Sequence, residues 1–181
     1  LLKDALRRTL MAADIAGRFG TTLWIVDRLS LIDQTLAALG PSAGAIHPRY
    51  RPRPSATVQV VTRQTLMARD VSMSCDLMVY DESHHTCAPG TFGFLTEKVR
   101  FRKALGLTAT PSRSDHIPLG RFFESHVTAS SYPKLIESGS LVRAMVLAPE
   151  RYVGPHLSQP MLDTWIAHGE GRQTLAFCAR K

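Results

Sequence analysis

A chain of 181 residues is long enough to bury a sizeable core as one domain, or as one domain plus part of another. Hydrophobic content of 44% with 20% charged residues is that of a globular chain, and no apolar run approaches the length of a membrane span, so no membrane partner is expected. The formal charge of +7 and a pI near 9.8 favour a polyanionic partner such as nucleic acid.

Leu6 to Phe19 reads as a helix, with Leu6, Leu10, Ala13, Ile15 and Phe19 on an apolar face and Gly20 where a helix stops. The window Leu2-Lys3-Asp4-Ala5-Leu6-Arg7-Arg8-Thr9 at its start contains no glycine. Thr21 to Asp27 is a buried strand rich in β-formers. Leu29 to Leu39 is then helical, with Leu29, Ile32, Leu36 and Leu39 on one face and Gly40-Pro41 ending it. Residues 40–55 read as a Pro-, Gly- and Arg-rich loop without periodicity. Arg49, Arg51 and Arg53 could grip phosphates there and Tyr50 could stack on a base, although a solvated surface loop is the commoner meaning. Ala56 to Val61 is the next strand, and Thr62 opens a short helix that its hydroxyl can cap.

The apolar run Leu77 to Tyr80 ends abruptly in Asp81 and Glu82. A buried parallel strand looks like this when it delivers acids to the carboxyl edge of a sheet, where ligands of open α/β sheets sit. One carboxylate can hold Mg²⁺ while the other orients and deprotonates a water. A strand ending in a solvated Asp-Glu-Ser turn is the bland alternative. Phe92 to Phe101 is expected to be helical, with Lys98, Arg100, Arg102 and Lys103 as its basic end. Ala104 to Leu107 is a short core strand whose Gly106 implies close backbone packing, and Thr108-Ala109-Thr110 turns at Pro111. Beyond it come a helical turn over Gly120 to Phe123, a helix over Tyr132 to Ser138 and a strand over Leu141 to Ala148. A linker, a helix from Pro160 to His168 and a strand over Gln173 to Cys178 complete the order.

Three cysteines, Cys75, Cys87 and Cys178, make no paired framework, which points to a reducing compartment, the cytoplasm. Cys87 near His84 and His85 lacks the Cys-x-x-Cys partner of a zinc site. A metal-dependent hydrolase built on Asp81, Glu82, His84 and His85 would need further ligands, and none has clear spacing. The chain opens on Leu1 and is expected to be part of a longer one.

Asp81-Glu82-Ser83-His84 resembles the acidic box of the DEAD/DEAH-type superfamily 2 helicases, and Leu105 to Pro111 resembles their Ser/Thr-Ala-Thr motif. Ile25 to Gln34 is similar to motif Ia, and the strand leading into Thr62-Arg63-Gln64-Thr65-Leu66 to motif Ib. The fold class this resemblance implies is α/β, a RecA-like P-loop NTPase-type parallel sheet flanked by helices, incomplete at both ends. Residues 1–148 would be the first RecA-like motor domain, 149–160 a linker and 161–181 the start of the second. ATP and Mg²⁺ are the implied cofactors, and nucleic acid, DNA before RNA, the implied partner.

By the same resemblance Asp81 is the metal ligand and Glu82 the catalytic base, while His84, Thr108 and Thr110 couple nucleotide state to the strand. Arg28, Ser30, Thr62 and Arg63 are the implied contacts to a nucleic-acid backbone, although an ordinary βα connection would also carry an exposed Arg28. The family's Gly-x-x-x-x-Gly-Lys-Ser/Thr loop should precede the first helix. In the corresponding window Arg8 stands at the lysine and Thr9 at the magnesium-ligating hydroxyl, but the glycines that let amides close around phosphates are missing. The implied function is therefore part of an ATP-dependent helicase or translocase, with this chain alone not catalytically competent. A nucleic-acid-binding module without ATPase activity is the alternative.

Overall fold

The computed structural model describes residues 2–69, 73–86, 89–110, 117–143, 158–172 and 174. In chain order the elements are α1 (Leu2–Ala16), β1 (Thr22–Val26), α2 (Ser30–Leu39), β2 (Ala43–Ala45), β3 (Val58–Thr62) and α3 (Arg63–Ala68). They continue with β4 (Met73–Tyr80), α4 (Ser83–Thr86), α5 (Pro89–Lys98), β5 (Val99–Gly106), α6 (Tyr132–Glu137) and α7 (Ser158–His168). Residues 1–141 form one compact unit and residues 142–181 a second, which contains α7. Among the described residues no helix is long and apolar enough to cross a membrane.

The five strands make one sheet in the order β2-β3-β1-β4-β5, and every pairing is parallel. β1 is central, so its side chains must be apolar on both faces, and Leu23, Trp24, Ile25 and Val26 are all buried. Trp24 and Val26 pack with Ala12 and Ala16 of α1, Ile32 of α2, and Val58, Val60, Leu77 and Val79. Leu23 and Ile25 face the other way, against Leu66 of α3, Leu95 of α5, Met78, Tyr80 and Val99. Helices therefore cover both faces, as in a RecA-like α/β sheet. Each fully buried large side chain contributes about 1.5–3 kcal/mol.

Parallel pairing brings every strand's carboxyl end to the same edge. The chain leaving β1 turns to the face of α2, whereas the chain leaving β4 turns to the face of α5. Such divergence marks a topological switch point, the place where open α/β sheets bind their ligands.

Three stretches differ from the sequence expectation. α1 starts at Leu2 rather than Leu6, so the glycine-free window is helical. Residues 40–55 are not wholly irregular, because Ala43-Gly44-Ala45 is an edge strand on β3. Ala and Gly carry no β-preference, and the pairing is supported from the loop instead. Arg53 donates to the carbonyls of Ala43 (3.1 Å) and Pro41 (2.9 Å), and Gln59 Nε2 donates to the Arg53 carbonyl (2.7 Å). Arg53 thus covers a sheet edge. Tyr50 is tied to α2, donating from its hydroxyl to Asp33 Oδ1 at 2.8 Å.

The third difference lies at β5, which begins at Val99, so Arg100, Arg102 and Lys103 belong to a strand and not to a helix end. Val99 is buried and Phe101 half-buried, while the arginines between and after them are exposed, which is a period of two. Gly106 behaves as its sequence position suggested: a Cβ there would lie 2.5 Å from the Phe123 ring. The strand expected over Leu141 to Ala148, the linker and the strand over Gln173 to Cys178 lie mostly outside the described residues.

At the opposite, amino edge, Asp76 fixes the entry of β4 to that of β1. Thr21 donates to Asp76 Oδ2 from its amide (2.9 Å) and its hydroxyl (3.1 Å), and the hydroxyl accepts from the Asp76 amide (3.1 Å). The Thr21 hydroxyl first, then its amide and Arg102, hold the Asp76 carboxyl below the ordinary carboxylate range. A depressed carboxylate stabilises fully above its unfolded value, near pH 4, and that contribution is lost as the pH falls through the lower folded value. Urea unfolding of Asp76→Asn as a function of pH should therefore show a flatter acid limb than the parent chain. Parallel curves below about pH 4 would contradict the assignment.

Candidate functional site

The acidic box sits where β4 runs out. Beyond the strand's formal end the Asp81 amide donates to the Ile25 carbonyl (2.9 Å), continuing the β1–β4 ladder. On the other side the Leu107 amide donates to the Tyr80 carbonyl (2.9 Å) and the Ser83 amide to the Leu107 carbonyl (2.8 Å). Asp81 and Glu82 are therefore held between two neighbouring strand ends, both half-buried. The Asp81 carboxylate accepts from the Glu82 amide at 3.0 Å.

Glu82 has φ of 47°, the left-handed region that non-glycine residues seldom occupy. Such a conformation costs on the order of 1–3 kcal/mol and persists where the flanking backbone is over-determined. The ladder bonds at Asp81 and Ser83 supply that constraint. This conformation turns the chain sharply from strand into α4.

His84 joins the box to the segment after β5. Its Nδ1 lies 2.8 Å from Thr108 Oγ1 and 3.4 Å from Glu82 Oε2. Thr108 Oγ1 donates to the Thr110 carbonyl (2.9 Å) and accepts from the Thr110 amide (3.1 Å). With the single hydroxyl proton directed at Thr110, the His84–Thr108 contact requires the proton on Nδ1. A proton there also suits the nearby Glu82 carboxylate. Glu82, His84, Thr108 and Thr110 thus form one connected chain of polar groups across β4 and β5.

The other half of the edge carries the residues assigned to nucleic acid. Arg28 is exposed after β1, and Ser30 is the exposed first residue of α2. Thr62 is buried, and its hydroxyl accepts from the Thr65 amide (3.1 Å) as the cap of α3. Arg63 follows it, half-buried. Between the two arginines stands Asp27, a residue the motif comparison did not single out. Its Oδ2 lies 3.7 Å from Arg28 Nε and its Oδ1 3.7 Å from Arg63 Nη2. The register offered a signal, since Val26 pairs with Thr62 and so puts residues 27 and 63 side by side. Sequence alone did not show that pairing.

Arg8 and Thr9 are both on α1, and Thr9 is half-buried. A continuous helix presents no loop of amides, so this window is not a phosphate cradle in the form the family uses. The acid end of the site fits magnesium better. Mg²⁺ is held by one or two carboxylates together with substrate phosphates and water, and Asp81 offers such a hard oxygen donor. A catalytic zinc needs three protein ligands, and among the described residues no three His, Cys, Asp or Glu side chains converge.

The ResIII family, the type III restriction enzyme res subunit, matches residues 8–113 of the chain. The matched span takes in α1 from Arg8 onward, all five strands, the acidic box and the Thr-Ala-Thr segment. No curated protein matches the chain.

Ser83, the third residue of the box, is 1% exposed, and its hydroxyl has no hydrogen-bond partner among the described residues. A buried unpartnered hydroxyl costs about 1–3 kcal/mol, a cost that removal of the oxygen relieves. Ser83→Ala should leave chemical-denaturation stability unchanged or raise it by about 1 kcal/mol. A loss of that size would mean that the hydroxyl is bonded in solution.

Proposed function

We propose a function on the premise that this match establishes: the chain belongs to the ResIII family, a DEAD/DEAH-like superfamily 2 helicase amino-terminal domain. In this reading it is the first motor domain of an ATP-dependent translocase or helicase that moves on DNA, completed by further parts of a longer chain. The observation that supports it best is the connected Glu82–His84–Thr108 arrangement at the carboxyl edge, beside a basic turn on the neighbouring strands. The family's name, that of a restriction enzyme subunit, favours DNA over RNA.

Bound magnesium-ATP supplies the scissile phosphoanhydride and a cation that neutralises its phosphates. Asp81 offers the cation a carboxylate oxygen from a position fixed by the Ile25 carbonyl. Glu82, carried at the sharp turn out of β4, orients a water and takes its proton on the carboxylate. His84 Nδ1 faces both the Glu82 carboxylate and the Thr108 hydroxyl, so a change at the base reaches the Thr108–Thr110 turn. Arg28, Ser30 and Arg63 meet the strand's phosphates, and the Thr62 hydroxyl, already capping α3, fixes the turn that carries Arg63. For the triphosphate the reading keeps Arg8 and Thr9, with only their order in the chain as support. The glycine-bearing loop would have to come from outside Leu2–Thr9.

That glycine-free helical window favours a second reading, a nucleic-acid-binding module that does not hydrolyse ATP. Turnover separates the two. In the intact protein, Glu82→Gln should lower DNA-stimulated ATP hydrolysis by about 10²-fold or more, the scale of a lost general base, while ATP still binds. Normal turnover by the variant would remove the role given to Glu82. DNA binding with no ATP hydrolysis by the unaltered protein would favour the second reading.

A further inference from the structure

We infer that Asp27 is a built-in competitor for the nucleic-acid backbone, holding Arg28 and Arg63 in a resting pair that a phosphate must displace. The inference rests on the reading of these arginines as backbone contacts. It begins with topology: β1 and β3 are neighbours in parallel register, with Val26 opposite Thr62, so the next residue of each strand emerges at one edge. The side chain leaving β1 is a carboxylate and the side chain leaving β3 a guanidinium. A second tie, Gln64 Nε2 donating to the Asp27 carbonyl at 3.3 Å, keeps the start of α3 against the exit of β1.

One carboxylate serves two guanidiniums, Arg63 through Oδ1 and Arg28 through Oδ2, each at 3.7 Å. Those separations allow attraction but exceed hydrogen-bond length. The Asp27 side chain is 18% exposed and Arg63 28%, against 78% for Arg28, so the inner pair is partly shielded and the outer one is open to solvent. A phosphate can reach a guanidinium through two parallel, charge-assisted bonds of about 2.7–2.9 Å. It therefore replaces a long contact with a shorter, bidentate one. Binding at this turn is an exchange of anions, and Asp27 subtracts from its free energy.

Such an arrangement keeps two arginines near each other and electrostatically damped while no strand is bound, and it weakens the grip on any single phosphate. A groove that must hold and release successive phosphates gains from a weak hold. A carboxylate between the arginines also disfavours stray polyanions that cannot offer a correctly placed phosphate.

The test uses Asp27→Asn in the full chain, which keeps the side-chain shape and the backbone tie to Gln64 while removing the charge. Binding of a fluorescent single-stranded oligodeoxynucleotide is measured at fixed moderate salt for the parent and the variant. The variant is expected to bind roughly tenfold more tightly, the scale of one or two partly exposed ion pairs. The gain should shrink when Arg28→Ala is added. Asp27→Ser, which also removes the charge, should show the same tightening and serves if the asparagine variant does not fold. A parent chain that binds, with charge-removing variants that bind equally or more weakly, overturns the inference and leaves the nucleic-acid reading intact. No binding by parent or variants overturns the reading and the inference together.

Discussion

Two backbone hydrogen bonds beyond the formal ends of β4 and β5 set the geometry on which the rest depends. Leu107 donates to the Tyr80 carbonyl at 2.9 Å and Ser83 to the Leu107 carbonyl at 2.8 Å, so the acidic box and the Thr-Ala-Thr segment are joined as backbone before any side chain meets. Parallel pairing makes this possible, because it sends both strand ends to one edge. The His84–Thr108 bond of 2.8 Å is then a short step between turns already in place. Were β5 antiparallel, its carboxyl end would lie at the edge where Asp76 sits.

The two edges of the sheet have different characters, and the difference is physical. At the amino edge Thr21 and Asp76 share three hydrogen bonds, two of them to the Asp76 carboxylate, and the pair acts as a fastening. The carboxyl edge carries different features. Glu82 occupies a strained backbone region, the Ser83 hydroxyl is buried without a partner among the described residues, and Asp27 is shared by two arginines at 3.7 Å. A fold tolerates strain and imperfect pairing where function requires them and removes them elsewhere.

Much of this was legible in the amino-acid order. Leu77 to Tyr80 announced a buried strand, and the buried end of β4 is that strand. Thr62 announced a cap, and its hydroxyl accepts from Thr65. Gly106 announced close packing, which the Phe123 ring supplies. What was hidden depended on partners distant in sequence. Ala43-Gly44-Ala45 has no intrinsic reason to extend and does so because β3 pairs with it and Arg53 covers it. The three loop arginines looked alike in sequence, yet Arg53 is engaged by backbone carbonyls. Val99 to Lys103 carried a period of two that a basic composition obscured. Asp27 was invisible as a partner because its meaning comes from the β1–β3 register.

The central claim is that the acids at the tip of β4 form the metal-binding end of a nucleotide site. Paramagnetic broadening of backbone amide resonances by Mn²⁺, titrated in the presence of ATP, tests it most directly. The account requires the amides of Asp81, Glu82 and Ser83 to broaden first, with Thr108 following and Asp76 at the far edge remaining sharp. Broadening centred on Asp76, or anywhere that leaves residues 81–83 sharp, would contradict it.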